Sequence, residues 1–333
     1  MELNISKLVI TALENRIDFI KVLEVEKTDS LRLFHGINEG YPGIAIDKYG
    51  DQIIIQSFRK PLSTDDVEII RQTIKSFFPY DVFFSYRHRE NKKSQLLYTD
   101  KENVNREFNC SEMDLNYEVL DFKQGLDPLL FLDIRAGRRY LSKICKEKRV
   151  LNLFSYTCSA GVVALANGAS FVVNIDFSKT WLNYGKINTK KNKLSTDKIR
   201  FVEEDFFPAI RQFAGLDVKG RATRKKFKKF DKQNFDIIFM DPPTLSKSNF
   251  GAVDIINDYQ SLFKPALLSL SEGGEIICTN HSSSVDMDSW IDTLNKCAIK
   301  ADRKIKDIRI ITPDEDFPSP DKKHPLKMVA ITI

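Results

Sequence analysis

The run Val150-Leu151-Asn152-Leu153 breaks into Phe154-Ser155-Tyr156-Thr157, and a helix-like run from Ala160 to Asn167 follows at once. A second run, Phe171-Val172-Val173-Asn174-Ile175, then ends on an acid, Asp176. A short apolar strand, a helix and a second short apolar strand in so small a span predict a βαβ unit with parallel strands. Ligands of such units lie beyond the carboxyl ends of the strands. There an acid can take both ribose hydroxyls of a nucleoside, and the turn after the first strand lets backbone N–H groups come close. On its own this pattern fits a dinucleotide oxidoreductase or an S-adenosylmethionine (SAM) enzyme.

From Arg149 onward the pattern is repeated strand and helix: Phe171 to Ile175, Ser178 to Lys191, Ile199 to Glu203, Asp205 to Phe213, Phe235 to Met240, Ile255 to Leu270, Glu275 to Asn280 and Asp286 to Ala298. That alternation predicts an α/β fold with a doubly wound sheet. Ile305 to Ile311 and Leu326 to Ile333 have no helix between them, so they predict an antiparallel C-terminal hairpin at the sheet edge. This ending is typical of class I SAM methyltransferases and atypical of dehydrogenases.

The chain before this region predicts a smaller α+β domain. Leu8, Leu13, Ile17, Ile20 and Leu23 give one amphipathic helix from about Lys7 to Val25. Two apolar runs between Ile44 and Gln56 flank a Tyr49-Gly50-Asp51 turn, a hairpin signal. Ser63 or Thr64, with Asp65 and Asp66 behind it, starts a helix. Val82 to Tyr86, Gln95 to Tyr98 and Leu115 to Phe122 read as further strands. Leu130 to Leu141 leads into a helix that Asp133 can cap, its arginines forming an exposed face. Residues 1–118 are therefore expected as an N-terminal module and 119–333 as the catalytic domain.

Composition narrows the classes. A 333-residue chain with 42% hydrophobic residues is globular, and a net charge of +5 is too mild to argue for nucleic acid by itself. Five cysteines without a C-x-x-C spacing, and four histidines not grouped with them, predict reduced thiols, no metal and a cytoplasmic protein. No apolar run approaches the ~18 residues of a membrane span, so no membrane partner is expected. Nucleic-acid contact must rest on local clusters, and there are two. Arg87-His88-Arg89-Glu90-Asn91-Lys92-Lys93 reads as a basic loop beside aromatic residues. Gly220 to Lys232 places Arg224, Lys225, Lys226, Lys228 and Lys229 around Phe227 and Phe230 where a short loop would suffice. Arg87, Arg89, Lys92 and Lys93 of the first cluster and those five residues of the second are the candidate RNA contacts.

Asp241-Pro242-Pro243-Thr244 follows the strand Phe235 to Met240, at the edge where ligands bind. Two prolines fix the backbone and remove two N–H donors, leaving a rigid edge of carbonyls and one carboxylate. Such an edge suits a flat, donor-bearing base, and a dehydrogenase has no need of it.

Phe131-Leu132-Asp133-x-Arg135, Leu151 to Thr157, Asp176-x-Ser178 and Asp241 to Ser248 resemble the motifs of bacterial large-subunit rRNA methyltransferases. The resemblance is nearest to the guanine-N7 methyltransferase half of the bifunctional rRNA enzyme, with the rRNA cytosine-C5 methyltransferases as relatives. It implies SAM as cofactor and ribosomal RNA as partner, with the oligomeric state open. It further implies that Phe131 and Arg135 close over the methionine end of SAM and that Asn152, Phe154, Ser155 and Tyr156 line its pocket. The resemblance also implies that Asp176 binds the ribose and that Asp205 with Phe206 borders the adenine; Phe177 and Ser178 are further candidate cofactor contacts, and Asp241, Pro242, Pro243 and Thr244 are the candidate catalytic residues, Asp241 also meeting the cofactor. Cys158 stands where the family has glycine and is expected to crowd the SAM tail. Cytosine C5 needs a cysteine thiolate added at C6, but the matching position here is His281, and Cys278 lies inside the preceding strand. Guanine N7 has a free lone pair and needs only alignment, so a ring nitrogen is favoured. The alternatives are cytosine-C5 methylation, a nicotinamide oxidoreductase, against which the missing G-x-G-x-x-G speaks, and a non-catalytic RNA-binding relative.

Overall fold

A computed structural model describes residues 4–90, 93–105, 108–119, 128–218 and 224–333. The chain divides into two compact units, residues 1–133 with 314–323, and residues 134–313 with 324–333.

The first unit runs α1 (Ile5–Glu14), α2 (Ile17–Val25), β1 (Ser30–His35), β2 (Ile44–Tyr49), β3 (Gln52–Ser57), α3 (Thr64–Phe77), β4 (Phe83–Glu90), β5 (Lys93–Thr99), β6 (Phe108–Glu112) and β7 (Leu115–Val119). Strands β1 to β5 form one sheet in sequence order, and β6 and β7 form a separate hairpin. The β2–β3 hairpin turns at Gly50-Asp51 as its sequence predicts. Ser63 caps α3 in a capping box with Asp66, a cap whose loss costs about 1 kcal/mol. The single helix expected from Lys7 to Val25 is two helices. Arg16 at the break is buried and turns inward, with Nη1 on the Ala12 carbonyl at 2.9 Å, Nε on the Arg32 carbonyl at 2.8 Å and an ion pair to Glu39.

The basic stretch expected as a loop is mostly strand: Arg87 to Glu90 end β4 and Lys93 opens β5. Lys92 lies outside the described residues, as do positions 120–122 of the strand expected to reach Phe122. Segment 314–323 belongs to this unit rather than to the sheet around it in sequence. The Asp316 carboxylate accepts the Arg32 amide at 2.9 Å, and the Arg32 guanidinium lies over the Phe317 ring.

The second unit runs α4 (Arg135–Ile144), β8 (Arg149–Leu153), α5 (Ser159–Ala166), β9 (Phe171–Asp176), α6 (Lys179–Lys191), β10 (Ile199–Glu203), α7 (Phe206–Phe213), β11 (Phe235–Met240), β12 (Leu245–Lys247), β13 (Ala252–Asp254), α8 (Gln260–Leu268), β14 (Leu270–Asn280), α9 (Met287–Lys300), β15 (Asp307–Ile311) and β16 (Lys327–Thr332). Seven of its described strands form one sheet, ordered β10-β9-β8-β11-β14-β16-β15, and β12 and β13 pair separately. The first five are mutually parallel, and β16 and β15 close the edge as the expected antiparallel hairpin. One face packs on α7, α8 and α9 through Phe213, Phe263 and Trp290, the other on α4 and α5 through Leu141 and Ala164. The strand order reverses between β8 and β11, the switch point at which such sheets bind ligands.

Three expectations fail here. Residue Ile134, not Asp133, occupies the N-cap of α4, and no side chain caps it. The arginines of α4 do not form an exposed face, since Arg135 and Arg138 are 0% and 1% exposed. The run from Ile255 is helical only from Gln260, because Leu245 to Asp254 forms a small hairpin that shifts the helix start.

Candidate active site

Register brings the chemistry to one edge. Leu153 pairs with Ile175, Asp176 with Glu203, Leu153 with Met240, and Met240 with Cys278. The residues that follow these tips therefore sit side by side along the carboxyl end of the sheet.

Below the edge, Asn152 and Asn174 are buried, and the Asn152 amide donates to Asn174 Oδ1 at 2.9 Å. A Cβ at Gly161 would lie 2.1 Å from that oxygen, so only glycine lets α5 approach the strands so closely. Asn152 thus serves as a prop under the turn. The turn itself is strained: Phe154, Tyr156 and Cys158 all have positive φ, at 56°, 49° and 60°. Left-handed backbone at non-glycine residues persists where the surroundings enforce it, as at ligand sites. What enforces it is Asp176, whose Oδ2 accepts the Tyr156 amide and whose Oδ1 accepts the Ser178 amide, both at 2.8 Å. Burial raises the Asp176 carboxyl above its ordinary value, and the two amides only partly offset this.

Cys158 is fully buried, its Sγ at 3.6 Å from Ser155 Oγ. A Cβ at Gly185 in α6 would come within 2.5 Å of that sulfur. The side chain expected to crowd the cofactor tail is thus lodged inside the βαβ unit, in a notch that Gly185 leaves open.

Further along the edge, the Phe154 ring stacks on Phe206 at 4.6 Å between centroids. Asp205 caps α7 through Oδ1 on the Phe207 amide at 2.9 Å. Phe177 is exposed, as is Phe131 in the first unit, while Arg135 is buried. Two carboxylates at successive strand tips with a stacked aromatic pair beside them form a set of acceptors and π-faces. That set fits the hydroxyls, amino group and flat ring of a nucleoside, and so fits SAM.

Asp241 has company that the sequence did not announce. Its Oδ1 accepts Thr279 Oγ1 at 2.5 Å and His281 Nε2 at 2.6 Å, and Nε2 must carry the proton because an ionised carboxylate only accepts. Burial opposes the charge on Asp241, but His281, Thr279 and the more distant Arg138 guanidinium together hold its carboxyl below the ordinary range. Both bonds fall on one oxygen, so Oδ2 is left for a ligand donor. Pro242 is buried, and Pro243 and Thr244 are exposed beside it. Cys278 is fully buried within β14, and burial pushes its thiol to about 12. His281 could have been found earlier: once β11 and β14 are taken as neighbours, residues just past Cys278 must face Asp241.

The two basic clusters differ. Arg87 is buried, with Nε and Nη2 on Gln56 Oε1 at 3.1 and 2.6 Å, while Arg89 is half-buried. Arg224, Lys225, Lys226, Lys228 and Lys229 are exposed, whereas Gly220 to Thr223 lie outside the described residues. The segment around them is tied down: the Lys228 amide donates to Glu204 at 2.6 Å, and Phe230 packs on Phe213.

Among curated proteins, the chain is similar to the ribosomal RNA large subunit methyltransferase K/L of Shewanella oneidensis, at 30% identity over 86% of this chain and 38% of the relative. Against the same-named protein of Colwellia psychrerythraea the figures are 28%, 91% and 40%. The chain thus spans about two fifths of the length of these relatives. Among solved structures, a protein assigned as a methyltransferase and complexed with SAH matches 100% of this chain and 83% of its own, with TM-score 0.81 and 23% identity. The SAM-dependent methyltransferase of Agrobacterium tumefaciens matches 91% and 90%, with TM-score 0.65 and 18% identity. At these identities the structural likeness establishes the fold. The family described as S-adenosylmethionine-dependent methyltransferase matches residues 31–330, and the chain belongs to that family.

Proposed function

We propose that the chain methylates large-subunit ribosomal RNA at a guanine ring nitrogen, N7, with its N-terminal unit holding RNA. Similarity to the K/L rRNA methyltransferases supports the substrate class. One observation carries the choice of a nitrogen: the position of a C5 nucleophile is His281, bound to Asp241, and the neighbouring Cys278 thiol is sealed in the core. A thiol at about 12 with no exposed surface offers no thiolate to attack a pyrimidine C6.

Bound SAM supplies an electrophilic methyl group on sulfur. The lone pair of N7 takes that methyl as the carbon–sulfur electron pair returns to sulfur, and no proton has to leave. The work left to the chain is alignment. In this reading Asp176 holds the ribose, Asp205 and Phe206 flank the adenine, and Arg135 holds the methionine end. Asp241, kept ionised and turned by His281, offers Oδ2 to the N–H groups of the guanine beside the Pro242-Pro243 edge.

The test is nucleoside analysis of large-subunit rRNA from cells lacking the chain. Loss of 7-methylguanosine, restored by the wild-type chain and not by Asp241→Asn, is the expected result. Loss of 5-methylcytidine in its place would overturn the nitrogen assignment.

A further inference from the structure

Outside the reaction site, the second unit carries a groove of about 790 Å³ between α7 and α8, reaching the end of α9. Its volume is in the range of sites that enclose a small organic group. The rings of Phe207, Phe250 and Pro265 line it together with the cations Arg211, Lys264 and Lys300, against one acid, Asp302. Among the described residues none of these cations pairs with a carboxylate, and Arg211 Nε donates only to the Asp217 carbonyl at 2.8 Å. Lys264 and Lys300 are exposed.

The local fold ties the lining of this groove to the reaction edge. The β12–β13 hairpin that carries Phe250 begins directly after Asp241 to Thr244. Its Gly251 lies against Phe207, since a Cβ there would meet the ring at 2.6 Å. Phe207 in turn follows Phe206, which stacks on Phe154. On its outer side Phe250 packs edge-on against Phe227, and Lys229 lies 4.3 Å above the Phe227 ring. A cation and then a run of three aromatic rings thus lead from the basic segment into the groove, where Arg211, Lys264 and Lys300 stand.

We propose that this groove binds a nucleotide of single-stranded RNA flanking the methylated base, the base stacked on Phe207 and Phe250 and the adjoining phosphates on Arg211, Lys264 and Lys300. The inference rests on the RNA reading above and adds a site to it. An uncharged ligand would leave three cations without a purpose, and an acidic peptide would leave the rings without one; a nucleotide uses both. A strand is required in place of a duplex because the rings need an open base face, which A-form stacking denies them. Stacking of this kind tolerates any base, so the site adds grip without sequence preference.

The experiment measures binding of the full chain to a labelled single-stranded RNA of about a dozen nucleotides across a salt series, with SAM binding followed by calorimetry. Lys264→Gln with Lys300→Gln should weaken RNA binding several-fold and make the log–log salt dependence shallower by about 1.4, or ~0.7 per lost phosphate contact. Phe250→Ala should weaken it about tenfold and leave the slope unchanged, the mark of lost stacking. SAM binding should be intact in both. Variants with wild-type affinity and slope, in a chain that does bind RNA, would overturn the groove and leave the RNA reading standing. A wild-type chain that binds no RNA overturns both. Equal binding of duplex RNA, equally weakened in the variants, would overturn the single-strand assignment.

Discussion

Asp176 ends one parallel strand and Asp241 directly follows another on the same edge of one sheet, and the chain treats their charges in opposite ways. Asp176 is held by two backbone amides, and burial raises its carboxyl. Asp241 is half-buried, but a histidine, a hydroxyl and a distant guanidinium act on it, and its carboxyl is lowered. The difference is one of rigidity against polarity. Backbone donors shape the left-handed turn around Asp176, while side-chain donors fix the rotamer and charge of Asp241. In the proposed reading, the first suits a site that receives a cofactor in one pose, and the second a site that must keep a charged acceptor ready for a base.

The largest effect should come from breaking the second site. Asp241→Asn keeps the volume but replaces an acceptor with an amide donor, which clashes with the donors Thr279 and His281 or with the base. Misplacement near reacting atoms costs ~100-fold. Turnover at saturating SAM should fall by about that factor while SAM affinity changes far less. A variant that loses SAM affinity and keeps turnover would reverse the roles of the two aspartates.

The two strand tips that carry this contrast were legible in the sequence, though the contrast itself was not, and the reason is locality. The strand ending at Asp176, the strand ending at Asp241 and the β2–β3 hairpin are each set by residues adjacent in the chain, and each stands where periodicity put it. What the sequence hid depends on distant partners. Arg135 and Arg138 read as surface from their crowding, yet α4 packs them inside. Arg87 read as a loop residue, but β4 continues past it because β3 and β5 flank it on both sides, and Gln56 takes its guanidinium. Arg16 breaks a helix whose apolar spacing is unbroken, because its bonding partners come from β1 and the turn after it. His281 was visible only as the place of an absent cysteine. Its bond to Asp241 spans forty residues and exists because β14 lies beside β11.

A smaller loss should follow from the first site. Asp176→Ala removes a charged acceptor worth roughly 1.5–3 kcal/mol and releases the amides that shape the turn. SAM affinity measured by calorimetry should fall tenfold or more, and turnover at saturating SAM should hold to within a few-fold. Unchanged SAM affinity would remove Asp176 from the cofactor site.

Acidification should separate the same two residues without mutation. The raised carboxyl of Asp176 gains its proton above the ordinary 3.8, and its charge is lost first as pH falls. The lowered carboxyl of Asp241 stays ionised until pH drops below 3.8. The sign for folding follows the sign for charge: Asp176 costs stability when ionised and recovers it on protonation, whereas Asp241 contributes stability that is lost only as pH falls through its depressed value. SAM affinity of the free chain should therefore weaken on acidification in wild type and depend less on pH in Asp176→Ala. The same pH slope in both would mean that another group controls cofactor binding.

The smallest effect tests the neighbour that is absent from Asp241's chemistry. Cys278 packs within β14 beside Met240, its thiol fully buried and raised to about 12. If it only fills space, Cys278→Ser exchanges sulfur for a smaller polar atom in the same buried position, and turnover should stay within a few-fold of wild type. If it attacked a pyrimidine, the serine would abolish turnover, because an alcohol at neutral pH is too weak a nucleophile without an adjacent base. A second measurement separates a structural loss from a chemical one. RNA containing 5-fluorocytidine blocks the elimination that ends a C5 reaction, so a thiolate enzyme remains covalently joined to it on a denaturing gel. The wild-type chain should run free of RNA, since a ring nitrogen accepts its methyl with no bond to the protein. An adduct in wild type that Cys278→Ser abolishes, with folding intact, would make Cys278 the attacking group and leave Asp241 to hold a cytosine in place of a guanine.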